Sequence, residues 1–183
     1  MKRTVITFGL IAGAILSSML LITIPFQEAI GFDRGEIIGY TSMIAAFLLI
    51  FFGVRSYRDN VAGGTIRFGR ALGVGILIAV VASVCYVITW QVIYFKISPD
   101  FLAKYQTHFI EKARAAGDSE EAIATKKAEM DAFAELYRNP AINAAITFIE
   151  PLPVALIVAL VSAGVLSRRK NDTAKHSGRE VTI

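Results

Sequence analysis

The chain has 183 residues, 55% of them hydrophobic, a formal net charge of +4 and one cysteine. Its mean hydropathy of +0.56 and that apolar fraction exceed what soluble domains usually carry and point to an integral membrane protein. Nucleic acid is excluded as the reason for the positive charge, because the basic residues stand beside apolar runs where topology already accounts for them, and a lone Cys85 excludes an intramolecular disulfide.

Met1 to Arg3 is a short basic start, and residues 4–26 form the first apolar run. A secretory signal is the rival reading, but the run is too long and no small-x-small cleavage site follows it, so a retained span is expected. Pro25 near its end is tolerated at a membrane edge. A polar link, residues 27–36, holds Glu28, Asp33, Arg34 and Glu36, and the second span covers residues 37–54. A basic loop with Gly63-Gly64 as its turn leads to the third span, residues 71–95, which carries no charge between Arg70 and Lys96. At ~1.5 Å per residue that span is about 37 Å long, enough to cross a ~30 Å hydrocarbon core with tilt.

Residues 98–139 differ in kind, being highly charged and mostly helix-forming. Ser98-Pro99-Asp100 reads as a helix start, and Leu102, Tyr105, Phe109 and Ala113 recur at helical spacing. Gly117 ends that helix, and Asp118 or Ser119 caps a second one carrying Ile123, Met130, Phe133, Ala134 and Tyr137. A helical hairpin outside the bilayer is expected, its stripe buried against itself or the bundle, with Phe109 and Phe133 as the main anchors. The fourth span covers residues 141–166, and residues 167–183 are expected to be a disordered cytoplasmic tail. The fold class is all-α: a single membrane domain over residues 1–166, with four spans and an extramembrane hairpin between spans three and four. No internal repeat supports an inverted-repeat transporter.

Basic residues concentrate in the start, in the second loop (Arg55, Arg58, Arg67, Arg70) and in the tail, whereas the first link has Arg34 against three acids. The positive-inside rule therefore puts both termini in the cytoplasm of an inner membrane and the hairpin in the periplasm. Helices in lipid associate through small residues that let backbones approach. Rows four apart occur at Gly9, Gly13 and Ser17, at Gly69 and Gly73 with Gly75, Ala79 and Ser83 beside them, and at Ala155, Ala159 and Ala163.

Glu150 is the sharpest chemical signal: a carboxylate about a third of the way into an apolar span, followed by the helix breakers Pro151 and Pro153. It reads either as a proton- or cation-binding group at a broken helix or as an anchor at the headgroups, the anchor being preferred. Gln91, Tyr94 and Lys96 lie at similar expected depth and are its candidate polar partners, although Trp90 and Tyr94 also suit interfacial anchoring. His108 and Glu111 do not make a metal site without further ligands, so no metal is expected; Cys85 reads as a packing residue. No phosphate loop, zinc motif or nucleophile elbow is present, and no cofactor is implied.

The stretches Gly39-Tyr40-Thr41-Ser42-Met43, residues 51–59, residues 64–72, the third span, and Phe148-Ile149-Glu150-Pro151-Leu152-Pro153-Val154 through Arg168-Arg169-Lys170 together resemble the DUF4199 family. Where that pattern often has glycine after Pro-Val, this chain has Ala155. The resemblance implies a multi-pass membrane protein of largely Gram-negative bacteria and implies no activity. The expected function is a non-enzymatic structural or interaction role through the hairpin, with lipid, another membrane or periplasmic protein, or a second copy as partner. The alternative is a small transporter or channel subunit using Glu150, which a polar cavity reaching that residue favours.

Overall fold

In the computed structural model, which describes residues 1–167, eight helices follow one another without an intervening strand. The expected tail lies, beyond Ser167, outside the described residues. Helix α1 (Lys2–Thr23) passes through a 3-10 turn, Ile24–Phe26, into the short α2 (Gln27–Ile30). Pro25 removes the donor that a regular helix would have used there, and the backbone hydrogen bonds shorten by one residue into a 3-10 turn. Gly31, at φ 82°, is the whole break before α3 (Phe32–Asn60). The polar link of the sequence is therefore helical on both sides of one glycine, and α3 runs on through six residues expected in the second loop.

Gly63 and Gly64, both at positive φ, turn the chain into α4 (Phe68–Val92). A π turn, Ile93–Ile97, ends α4, with Ser98 N–H donating to the Ile93 carbonyl at 2.8 Å. The residue before a proline is pushed out of the helical region, and Ser98 sits at φ −133°, ψ 65°. Helix α5 (Phe101–Ala115) thus starts after a turn, not at the expected Ser98 cap. Gly117 at φ 85° closes it, and Ser119 caps α6 (Glu120–Tyr137) by accepting from Ala122 N–H. Asn139 caps α7 (Pro140–Ile149), whose proline occupies the first turn where no donor is needed. Helix α8 (Leu152–Leu166) completes the chain.

Four rods, Lys2–Ile30, Phe32–Asn60, Phe68–Ile97 and Pro140–Leu166, are long and apolar enough to cross a membrane. Helices α3 and α4 form the centre, and both α1 and α8 pack against each of them. Phe47, Ile50, Val54, Val74 and Ile78 are fully buried at that junction. A second apolar cluster, Trp90, Ile93, Tyr94 and Tyr137, joins α4 to the hairpin.

Glycines decide where α1 meets α4. A Cβ on Gly9 would stand 2.6 Å from Val81 Cβ, and one on Gly13 2.6 Å from Cys85 Cβ. The α4–α8 contact is closed by Gly75, whose absent Cβ leaves room for Ala159 Cβ at 3.1 Å. Ala155 and Ala159 are buried. Gly69 and Gly73 do not serve as packing residues: nothing lies within 4 Å of where their Cβ would stand. An ideal helix turns ~100° per residue, so Gly73 points about 160° away from Gly75, off the contact face.

Candidate functional site

Helix α7 and its C-cap present Asn143, Thr147 and Glu150 on one face, the i, i+4, i+7 spacing of a helical stripe. That face lies along α4, which runs antiparallel to it. Gln91 donates to Asn143 Oδ1 at 2.8 Å and to the Pro140 carbonyl at 3.3 Å. Trp90 Nε1 donates to the Tyr137 hydroxyl at 2.9 Å, and Tyr137 and Thr147 share a hydroxyl hydrogen bond of 3.0 Å. The Asn143 amide donates back to the Tyr137 carbonyl at 3.4 Å. Asn143 and Thr147 are buried with all their groups engaged, which is what polar atoms in an apolar bundle require. Burial holds the Tyr137 hydroxyl above the ordinary tyrosine range.

Further from the hairpin, Tyr86 donates to Glu150 Oε2 at 3.3 Å. Glu150 sits at the break itself: α7 ends at Ile149, and α8 begins at Leu152. Pro151 cannot donate to the Thr147 carbonyl nor Pro153 to that of Ile149, so the helix is unpaired along this step. Pro151 is fully buried, while Pro153 faces outward. Of the three candidate partners, none reaches Glu150. Gln91 is committed to Asn143; Tyr94 is buried with its ring edge-on to Tyr137 at 5.2 Å; Lys96 is exposed and makes no ion pair among the described residues. Tyr86, Asn143 and Thr147 are the residues that sequence reasoning missed, and Trp90 and Tyr137, read there as an interfacial anchor and a hairpin stripe residue, belong to the same network. The pairs Gln91–Asn143 and Tyr86–Glu150 have nearly the same residue-number sum, as facing positions on antiparallel helices must, but the sequence does not give that register until one pair is known.

Glu150 lines a cavity of about 410 Å³. Its walls are the ends of α1 and α3 with α4 and α7, contributing Glu36, Tyr40, Tyr86 and Trp90. Its roof is the hairpin, through Phe101, Tyr105, Phe133 and Tyr137. No lysine, arginine or histidine among the described residues lines it. Burial, and then the nearby Glu36 carboxylate, hold the Tyr105 hydroxyl above its usual range.

The roof is tied to the wall by ion pairs from one face of α5. Lys104 meets Glu28 at 2.6 Å and Asp100 at 2.8 Å, and Lys112 meets Asp33 at 2.7 Å. His108 lies between them, 3.6 Å from Asp33 and stacked on Phe32 with ring centroids 5.2 Å apart. Phe109 and Phe133 are 43% and 41% exposed, so they are not the anchors expected for the hairpin. Ala113, Ile123 and Tyr137 are its buried residues. Phe32 instead bridges Phe101, Tyr105 and His108. No group of three potential metal ligands occurs among the described residues.

No curated protein and no solved structure matches this chain. The model of one family, described as "Protein of unknown function (DUF4199)", matches residues 7–168. With four helices long and apolar enough to span a membrane and a family match over most of its length, the chain is a membrane protein belonging to the DUF4199 family.

Proposed function

We propose that this protein is a non-enzymatic membrane receptor that binds a small amphipathic ligand in the cavity between its spans and its helical hairpin. The observation that carries this is the roofed cavity reaching Glu150 at the broken helix. Its volume falls within the range of small-molecule sites, and its make-up is the usual one: mostly apolar and aromatic walls with a few polar groups converging on them. Beyond the cavity the interior is filled by Phe47, Ile50, Val54 and Ile78, which favours binding over passage through the monomer. In a bacterial inner membrane with both termini cytoplasmic, the cavity opens towards the periplasm; the alternating basic segments support that orientation.

Trp90 is the only tryptophan and lines the cavity, so its fluorescence reports on this site alone. Gly39 also lines it, with nothing within 4 Å of its Cβ position, so Gly39→Leu puts bulk into the space from a point where its Cβ meets no protein. Purified protein is heated with cationic, neutral and anionic amphiphiles while Trp90 emission is followed. At least one class is expected to raise the unfolding midpoint in wild type and not in Gly39→Leu. If no class does, the small-ligand reading fails, and the hairpin becomes the functional surface in its own right. That second reading is favoured by Phe109 and Leu136, which the hairpin leaves exposed.

The orientation has its own test. A single cysteine in the hairpin of a Cys85→Ala background is expected to react with an impermeant thiol reagent in intact spheroplasts. One in the tail is expected to stay unlabelled, and the opposite pattern inverts the topology.

A further inference from the structure

We infer that the ligand class of this cavity is a lipophilic organic cation: one positive charge carried on an aromatic or branched apolar body. The inference rests on the reading of the cavity as a ligand site and names what that site selects. Two carboxylates, Glu150 on the wall at the helix break and Glu36 on α3, face a space with no lysine, arginine or histidine around it among the described residues. The basic side chains of the hairpin that come nearest, Lys104 and Lys112, are already occupied by Glu28, Asp100 and Asp33 at the rim. The cavity lining therefore carries two carboxylates and no basic side chain among the described residues, with Lys112 acting on Glu36 only from the rim, where it is paired with Asp33. Glu150 has one partner, the Tyr86 hydroxyl, and its second oxygen meets no donor among the described residues.

The remaining lining selects among cations. Tyr40, Tyr86, Trp90, Phe101, Tyr105 and Tyr137 surround the space. Aromatic faces carry negative potential, and a cation within ~6 Å of a ring is attracted, most strongly at tryptophan and most of all when water is excluded. A bare metal ion is a poor fit, since few oxygen ligands converge and the walls cannot replace its hydration shell. An anion meets two carboxylates and no donor charge. A neutral amphiphile uses the rings but leaves the charge of both exposed carboxylates unmatched, so it gains nothing from them. An organic cation satisfies both sets of groups, and its weakly hydrated, spread charge is the least costly to desolvate.

Tetraphenylphosphonium and tetraphenylborate have nearly the same shape and opposite charge, and they separate charge from shape directly. Each is titrated into the full-length protein in a neutral detergent, with Trp90 fluorescence as the readout and Gly39→Leu as the control for partition into the micelle. Tetraphenylphosphonium is expected to give saturable quenching that Gly39→Leu abolishes, and tetraphenylborate none. Glu150→Gln, which retains an acceptor for Tyr86, is expected to weaken phosphonium binding about tenfold, the size of one partly desolvated charge contact. Glu36→Gln weakens it less and serves if Glu150→Gln does not fold. Tetraphenylborate binding as tightly as the phosphonium, or phosphonium binding indifferent to both carboxylate variants, overturns the cation assignment while leaving a ligand cavity in place. If neither ion binds but a neutral amphiphile still raises the midpoint in a Gly39-dependent way, the cation assignment alone fails. If no probe of any charge binds, both readings fall.

Discussion

Glu150 is a carboxylate in an apolar span, where insertion costs ~2.5–3.5 kcal/mol for an ionised side chain, so its environment has to repay that cost. The protein answers with a single tyrosine hydroxyl at 3.3 Å and an open cavity on the other side. A hydrogen bond to a charged acceptor contributes ~1.5–3 kcal/mol, and this one is long, so Tyr86→Phe is expected to destabilise by about 1–2 kcal/mol. Glu150→Gln, which keeps the acceptor, should be close to neutral for folding. Both are read from thermal unfolding in detergent, and a Tyr86→Phe midpoint equal to wild type would remove this bond from the account. Glu150 itself was legible in the sequence as an anomaly of composition. Its partner was not, because depth estimated from span boundaries is uncertain by a helical turn, and Gln91, Tyr94 and Lys96 lie one to three turns nearer the hairpin than Tyr86.

Between elements, contact depends on which face a small residue occupies. The row Gly9–Gly13 is pressed on Val81 and Cys85, whereas Gly69–Gly73, of the same spacing, meets nothing. Gly13→Ala would place a Cβ 2.6 Å from Cys85 Cβ, so α1 and α4 must separate. Overpacking of this kind costs ~1–3 kcal/mol. Gly73→Ala adds a methyl in open space and improves helix propensity, so its midpoint should equal or exceed that of wild type. Equal losses at the two sites would show that glycine content, not contact, governs the bundle. Spacing alone could not separate the two rows, because periodicity identifies a face without saying what lies opposite it.

At the scale of the molecule, the hairpin is held over the bundle as a clamped roof. Asp100 and Glu28 hold the Lys104 ammonium above its ordinary value, and Asp33 does the same for Lys112. Lys104 in turn holds the Asp100 carboxyl below the usual range. A lysine raised in the folded state stabilises it fully below the unfolded pKa of ~10.4, and that contribution is lost as pH rises through the folded value. A carboxyl lowered on folding contributes above ~3.9 and loses its contribution as pH falls through the folded value. The clamp is therefore closed from mildly acid to neutral pH and loosens on the alkaline side. All these groups are solvent-exposed, so ~1 M salt, with a Debye length of ~3 Å, should weaken them as well. Limited proteolysis of the hairpin is expected to accelerate in high salt, above pH 10.4 and in Asp33→Asn, which removes the partner of Lys112 and the neighbour of His108. An unchanged cleavage rate in all three conditions would mean that the aromatic contacts of Phe32 hold the roof without the charges.

The sequence by itself determined the spans, because an apolar run of sufficient length has no other stable place for its side chains, and it determined the hairpin, because charge and helical periodicity exclude those residues from lipid. It also singled out Glu150, Pro151 and Pro153, whose oddity is local. Only the tertiary structure decided what faces what. Gly31 makes the first link a hinge between helices, which brings Glu28 and Asp33 under α5, and the antiparallel register of α4 and α7 sets Tyr86, not Gln91, against Glu150. The cavity exists because the roof and the walls come from residues far apart in the chain. Its lining holds two carboxylates and no basic side chain among the described residues because the lysines of the roof pair at the rim, an arrangement that no single segment encodes.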